Sequence, residues 1–313
     1  MSAPEILLMG PYPDWDMTEL EAKYKVHKFY EAADKDALLS QHGANIRAIA
    51  TRGELGASAA LMGKLPSLEI VSCYGVGTDA IDLGYAKSNG IKVTNTPDVL
   101  TADVADLGVG LLLAAARQIP QADTYVRQGS WTKGNMGLVT RVCGKKVGIV
   151  GMGRVGVTVA RRLAAFECDI SYFDIAARTD LPYTFVADLT ELARGCEFLI
   201  VTLSGGESTK GIVNAGVLAA LGKDGIIVNI SRGSTVDEDA LLDVLEKGQI
   251  KAAGLDVFAT EPNINARYLP LTNVVLQPHH ASGTVETRQA MGKLVRDNLA
   301  AHFSGAALLT PVV

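Results

Sequence analysis

Along the first third of the chain, short apolar runs alternate with longer segments in which apolar residues recur at helical spacing. Residues 6–9, 26–29, 48–50 and 70–73 read as strands, and 91–94 as a fifth. The alternation predicts a parallel sheet with helices on its faces. Asn95, Pro97 and Asp98 interrupt it, and a long helix is then expected to run to Ile119, just before Pro120. Within it, residues 107–116 are apolar on every side, which predicts burial between two domains. The strand pattern resumes at 147–150, 169–173, 198–203, 226–230, 252–258 and 274–276. Residues 286–303 read as a last helix, rich in charge on one face, that returns the chain to the first domain. The expected fold is therefore α/β, with two Rossmann-like or flavodoxin-like doubly wound parallel sheets and an active site in the cleft between them. Residues 97–284 would be inserted between 1–96 and the C-terminal 285–313.

Residues 146–178 carry the strongest local signal. An apolar run at 147–150 leads into Gly151-Met-Gly153-Arg-Val-Gly156, after which Val155, Val159 and Leu163 recur at helical spacing beside Ala160 and Ala164. A second strand follows and ends at Asp174, eighteen positions after Gly156. Each part has a physical use. Gly151 allows a sharp turn, Gly153 lets backbone amides approach a pyrophosphate, and Gly156 lets the helix lie close to its strand. Asp174 would accept hydrogen bonds from a ribose diol. Glycine-rich turns are common, but here they follow a strand, open a helix and precede an acid at the expected distance. A dinucleotide site is expected in 97–284, which makes 1–96 with 285–313 the substrate-binding, flavodoxin-like domain.

Composition narrows the partners. With 313 residues, 48% of them hydrophobic and 20% charged, the chain has the make-up of a soluble globular protein of two domains. Its net charge of −5 argues against a nucleic-acid surface and against polybasic membrane contact. The first residues lack the positive flank and cleavage site of a signal peptide, and the longest apolar run is about half of what a membrane span requires. A cytoplasmic setting is expected. Cys73, Cys143, Cys168 and Cys196 form no CxxC pair, so reduced thiols and no metal are expected. His27, His42 and His302 sit in no motif and are expected on the surface.

Strand ends point to the chemistry. Ser231-Arg232-Gly233, Thr260-Glu261-Pro262 and Pro278-His279-His280 each follow an apolar run, and in a doubly wound sheet such ends line one crevice. Arg232, Glu261 and His279 should therefore meet beside the dinucleotide. An arginine binds a carboxylate through two hydrogen bonds and polarises an adjacent carbonyl. A histidine supplies the proton that hydride transfer to that carbonyl requires, and a carboxylate on its other ring nitrogen orients it and favours the imidazolium. Taken singly, each of these residues is more simply a loop, a helix start or a satisfied histidine, and it is their convergence that argues for hydride transfer to a 2-oxo acid. His280 is a rival for the proton donor. The loop Gly75-Val76-Gly77, after the run at 70–73, exposes amides at a sheet edge but is equally an ordinary turn. Trp131 lies in a glycine-containing loop, where an aromatic residue is usually local core or an interface contact.

Over nearly its whole length the chain resembles the D-isomer-specific 2-hydroxyacid dehydrogenase family, most closely its glyoxylate/hydroxypyruvate and hydroxyphenylpyruvate reductase branch. The resemblance rests on Asn95 to Thr101 with Asp106, residues 147–156, Val228 to Gly233, Gly254 to Phe258 with Glu261-Pro262, Pro278 to Ser282, and the ending around His302 and Leu309. It implies His279 as acid and base, Glu261 as its partner, Arg232 as substrate anchor, and amides at Val76 and Gly77 holding the substrate carboxylate. Asp256 would take the nicotinamide carboxamide. Arg154 and Val155 would contact the pyrophosphate, with Thr101 nearby. Further coenzyme contacts are implied at Leu203, Ser204, Thr209, Ile230 and Ser231, and again at Ser282 and Gly283. Members are usually homodimers, and in this branch a loop aromatic such as Trp131 can reach the partner's active site.

Two departures stand out. NADP-preferring relatives often carry Ser/Thr-Arg where this chain has Asp174-Ile175, and a carboxylate there repels a 2′-phosphate. NAD is thus the expected coenzyme, with NADP still open because Arg178 is near. The second is Ser204-Gly-Gly206, which replaces a common proline and suggests a more mobile loop. The expected function is NAD(P)-dependent reduction of a small 2-oxo acid such as glyoxylate or hydroxypyruvate. An aromatic substrate such as hydroxyphenylpyruvate is the main rival. A corepressor-like NADH sensor is the rival of another class, disfavoured by the lack of long disordered tails.

Overall fold

The computed structural model describes residues 3–313. The chain divides into two compact units, one comprising residues up to Leu100 together with Ser282–Val313, the other Thr101–Ala281.

In the smaller unit the order is β1 (Glu5–Leu8), α1 (Asp14–Lys23), β2 (Lys25–Lys28), α2 (Lys35–His42), β3 (Ile46–Arg52), α3 (Ala59–Met62), β4 (Ile70–Tyr74), α4 (Leu83–Ser88) and β5 (Lys92–Thr94). These strands form a parallel sheet in the order β2-β1-β3-β4-β5, the flavodoxin-like arrangement. Its strands are nearly all buried because helices cover both faces. Leu7, Ile49 and Val71 anchor one core cluster. Ile6, Ala48 and Ile70 anchor the other.

The larger unit contains α5 (Thr101–Arg117), α6 (Ile119–Arg127), β6 (Lys146–Val150), α7 (Arg154–Ala164), β7 (Asp169–Phe173), β8 (Thr184–Phe185), α8 (Leu189–Arg194) and β9 (Phe198–Val201). It continues with α9 (Ala215–Leu221), β10 (Ile226–Asn229), α10 (Glu238–Glu246), β11 (Ala252–Leu255) and β12 (Val274–Leu276). Seven parallel strands run β12-β11-β10-β9-β6-β7-β8, so the order reverses between β6 and β9. That reversal is the switch point at which doubly wound sheets bind ligands. The last helix, α11 (Val285–Ser304), packs on β4 and α1 of the smaller unit.

Several local expectations change. The run to Ile119 is two helices: α5 stops at Arg117, Gln118 turns the chain with φ 50°, and Pro120 lies in the first turn of α6. A proline costs little there because the first amides of a helix have no intrahelical partner. Residues 107–116 are apolar as expected but not buried on every side: Gly110 is exposed and Leu107, Leu113 and Ala114 are half-buried, while the buried face packs on β10, β11 and α7. On α7 Ala164 is exposed and Val157 is buried. The two-residue β8 carries no apolar run long enough to read. β9, β10 and β11 are shorter than expected, because residues 203, 230 and 256–258 leave the ladder for the loops that carry the site.

Candidate active site

The glycine-rich turn sits at the switch point, between the end of β6 and the start of α7. Gly151 has φ 97°, a conformation that a side chain would strain, and Leu203 fills the space beside it. At Gly156 a Cβ would collide with the Gly151 carbonyl oxygen, so only glycine lets α7 lie this close to β6. At Gly153 the space where a Cβ would point is open, and no side chain caps the first amides of α7. An uncapped helix N-terminus behind an open glycine suits a pyrophosphate. Arg154 and Val155 form the first turn of α7.

Asp174 follows β7. One of its oxygens accepts the Met152 N–H at 2.7 Å and the other the Ile175 N–H at 2.7 Å, and Ile175 beyond it is fully exposed. The acid is thereby fixed to the glycine loop, where a ribose would lie. Arg178 lies at the same turn, with its guanidinium engaged by its own partners. Its guanidinium donates twice to Asp180, at 3.1 and 2.5 Å, and once to the Met152 carbonyl at 3.0 Å. The residues at this edge fit a nicotinamide dinucleotide.

Arg232, Glu261 and His279 follow β10, β11 and β12, which are neighbours in the sheet. His279 Nδ1 lies 2.6 Å from a Glu261 oxygen, and the other Glu261 oxygen accepts the Phe258 N–H at 2.8 Å. Burial works to raise the Glu261 carboxyl, but the hydrogen bonds of His279 and Phe258, with the charge of Arg232, outweigh it and hold the group below its ordinary range. Glu261 is therefore an anion at neutral pH, aimed at one ring nitrogen of His279, which leaves Nε2 for chemistry. The imidazole is 39% exposed.

Asp256 builds the turn that presents this ring. It is 1% exposed, and its two oxygens accept the His280 and Ala281 amides at 2.7 and 3.1 Å, while its carbonyl accepts the His279 N–H at 2.8 Å. His279 is held in the left-handed region, φ 50°, a strain of about 1–3 kcal/mol that these bonds sustain. Burial raises the Asp256 carboxyl, and the two amides pull it part of the way back. His280 gives its amide to Asp256 and is also exposed, so its rivalry with His279 turns on the Glu261 contact that only His279 has.

Sequence reasoning gave Asn229 no role. It is 2% exposed; its Oδ1 accepts the Ser231 amide at 3.0 Å and hydroxyl at 2.9 Å, and its Nδ2 donates to the Arg232 carbonyl at 3.0 Å. Thr235 donates to the same carbonyl at 2.7 Å. The backbone that launches Arg232 is thus clamped, and Arg232 Nη1 returns to the Ser231 carbonyl at 2.7 Å. The signal was present: a polar Asn at the end of an apolar strand, three residues before an arginine.

Leu203 abuts Gly151. Thr209 donates to the carbonyls of Ser204 and Gly206, at 2.8 and 3.2 Å, which ties the Ser204-Gly-Gly206 loop to itself. Ile230 is buried. Thr101 is the first residue of α5. Val76, Gly77, Ser282 and Gly283 belong to the smaller unit. There, Asn95 Nδ2 donates to the Val76 carbonyl at 2.8 Å, and the Gly75 amide donates to the Thr96 hydroxyl at 3.0 Å, pinning the loop after β4. Trp131 stands on a short 3-10 turn and is 64% exposed, which rules out local core.

Two of the set-aside histidines are corrected. His27 is 8% exposed and lies 2.6 Å from a Glu5 oxygen, and His302 is 8% exposed in its side chain and lies 2.8 Å from Glu69. Neither is a surface residue. Each lies beside a carboxylate distant in sequence, a relation that no local pattern reveals. His42 is half-buried against the His27 ring.

Comparison with known proteins bears on the whole chain. Residues 109–281 match the family described as D-isomer specific 2-hydroxyacid dehydrogenase, NAD binding domain. The chain is 46% identical to glyoxylate/hydroxypyruvate reductase A HPR2 of Arabidopsis thaliana over 100% of both chains. Among solved structures, a 2-hydroxyacid dehydrogenase from Ketogulonicigenium vulgare Y25 superposes with a TM-score of 0.95 at 55% identity, covering 100% of this chain and 99% of that one. An NADPH-dependent glyoxylate/hydroxypyruvate reductase from Sinorhizobium meliloti, in complex with NADP and malonate, does so at 0.94 and 44% identity, covering 100% and 97%.

Proposed function

The chain belongs to the D-isomer-specific 2-hydroxyacid dehydrogenase family, and from that premise we propose that it reduces small 2-oxo acids, glyoxylate and hydroxypyruvate foremost. It is an NAD(P)-dependent oxidoreductase. The observation that carries the substrate reading is the His279–Glu261 pair, with Arg232 beside it, on the same sheet edge as the glycine-rich turn.

The coenzyme, when bound, supplies the hydride. Arg232 binds the substrate carboxylate and polarises the adjacent carbonyl. His279 Nε2 gives its proton to the carbonyl oxygen as charge develops there, and takes it back in the oxidative direction. Glu261 stabilises the imidazolium and holds the ring in one orientation. Asp256 and Asn229 keep the two loops in register. The test is coenzyme oxidation, followed by absorbance, with glyoxylate, hydroxypyruvate, pyruvate and hydroxyphenylpyruvate in parallel. Turnover confined to the aromatic acid would reject the small-substrate reading.

NAD is the proposed coenzyme. Asp174 offers lone pairs to a ribose diol and repels a 2′-phosphate, and Arg178 is already neutralised by Asp180. A higher kcat/KM with NADH than with NADPH is the expected result, and the reverse order would sink the assignment. A homodimer is proposed from the apolar side chains exposed along one segment, Ile119 (52%), Val126 (55%), Trp131 (64%) and Leu138 (102%). Trp131 is the candidate to reach the partner's site. A monomeric mass by light scattering would end that reading. No helix of the described residues is long and apolar enough to cross a membrane. The four cysteines are free thiols, which supports a cytoplasmic setting.

A further inference from the structure

We propose that Glu5, His27 and His42 form a second, non-catalytic site in the smaller unit that binds a divalent transition-metal ion of the zinc, nickel or copper class.

The site arises from the sheet register. In the β1–β2 ladder Glu5 pairs with Lys25 and Leu7 with His27. In a parallel pair, partners and residues two apart share a face, so Glu5 and His27 are diagonal neighbours on one side of the sheet. Leu7 and Leu39 belong to one core cluster, so α2 covers that side. His42 stands three residues after Leu39, on the same helix face, and therefore comes down beside His27. Three residues separated by twenty-two and fifteen positions thus meet at the edge strand of the five-stranded sheet.

His27 Nε2 lies 2.6 Å from one Glu5 oxygen. The His27 and His42 rings stack with centroids 4.4 Å apart and planes inclined by 31°. One ligand atom from each of the three residues falls within 4.8 Å of the other two. A tetrahedral ion with bonds of about 2.0–2.2 Å separates its ligand atoms by roughly 3.3 Å, so an ion would part the Glu5–His27 contact slightly and draw the more distant ligand atom in. Two imidazoles and one carboxylate suit zinc, nickel or copper, and not magnesium or calcium, which take oxygen ligands. His42 supplies the second imidazole of the set. It is also the last residue of α2, where the helix dipole favours a cation. The other Glu5 oxygen lies 3.2 Å from Lys25 Nζ, so Glu5 serves the ion with one oxygen and the lysine with the other. A shallow cavity lined by His27, Lys28, Asp34, Gln41 and His42 leaves room for water to complete the coordination.

The experiment is calorimetric titration of the full-length, chelator-stripped protein with Zn²⁺, and separately with Ni²⁺. One ion per chain is expected, with binding weakened more than about tenfold in both His42→Ala and Glu5→Gln. Co²⁺ should give the visible absorption of a tetrahedral site in the wild type and not in His42→Ala. His279→Ala must retain the site, which separates it from the catalytic histidine. If circular dichroism shows that His42→Ala fails to fold, His42→Gln takes its place. Absence of binding at micromolar metal overturns the proposal, as does binding that the His42 and Glu5 variants leave unchanged.

Discussion

His279 Nδ1 stands 2.6 Å from Glu261 in the larger unit, and His27 Nε2 stands 2.6 Å from Glu5 in the smaller. The contacts match, but the backbones beneath them do not. His27 sits inside β2 with its partner on β1, so the pleat turns its ring under α2 and leaves it 8% exposed. His279 sits past the end of β12, in a left-handed turn braced by Asp256, and its ring is 39% exposed with Nε2 directed away from its carboxylate. A histidine–carboxylate pair is therefore not in itself an acid–base device. The acid–base role proposed for His279 belongs to the pair whose chain has left the ladder, where the ring is exposed beyond its carboxylate.

Mutation of each pair tests the contrast. The largest effect is expected from His279→Ala, which should lower kcat by about 10²–10⁴ with the fold intact, since it removes the proposed proton donor and little packing. Steady-state turnover with hydroxypyruvate and a melting curve measure both, and retained turnover would erase the distinction. His27→Ala should do the opposite. It leaves Glu5 part-buried without its imidazole, costing about 1–3 kcal/mol in chemical denaturation while kcat holds.

The smallest effect should appear in the pH dependence of stability. Burial works to raise the Glu5 carboxyl, but hydrogen bonds from His27 and Lys25 hold it below its ordinary value of 4.5. A carboxyl lowered in the folded state stabilises fully above its unfolded pKa and loses that contribution as pH falls through the folded one. Glu5→Gln should therefore melt below the wild type near neutral pH and converge with it in acid, below 4.5. A constant gap across that range would show that the pair contributes nothing through charge.

Much of this architecture is legible in local pattern. Among the described residues the apolar runs place eleven of the twelve strands, missing the two-residue β8. The glycine spacing anticipates three different demands, a positive φ at Gly151, open space at Gly153 and close approach at Gly156. Arg232, Glu261 and His279 are readable because strand ends in a doubly wound sheet share an edge. Pro120 misleads because its meaning depends on which side of it the helix lies. Asn229 and Asp256 pass without a structural role because each acts by holding a loop amide, and the loop's path is not encoded at those positions.

Periodicity and glycine placement by themselves determine the two parallel sheets, the dinucleotide turn and the three residues proposed for chemistry, since each follows from constraints within a strand or a single turn. Tertiary structure alone decides which histidines are buried and which carboxylates they meet. Glu5 with His27 and Glu69 with His302 are partners only because strand register and helix docking bring distant positions together, and those are properties of the whole packed chain.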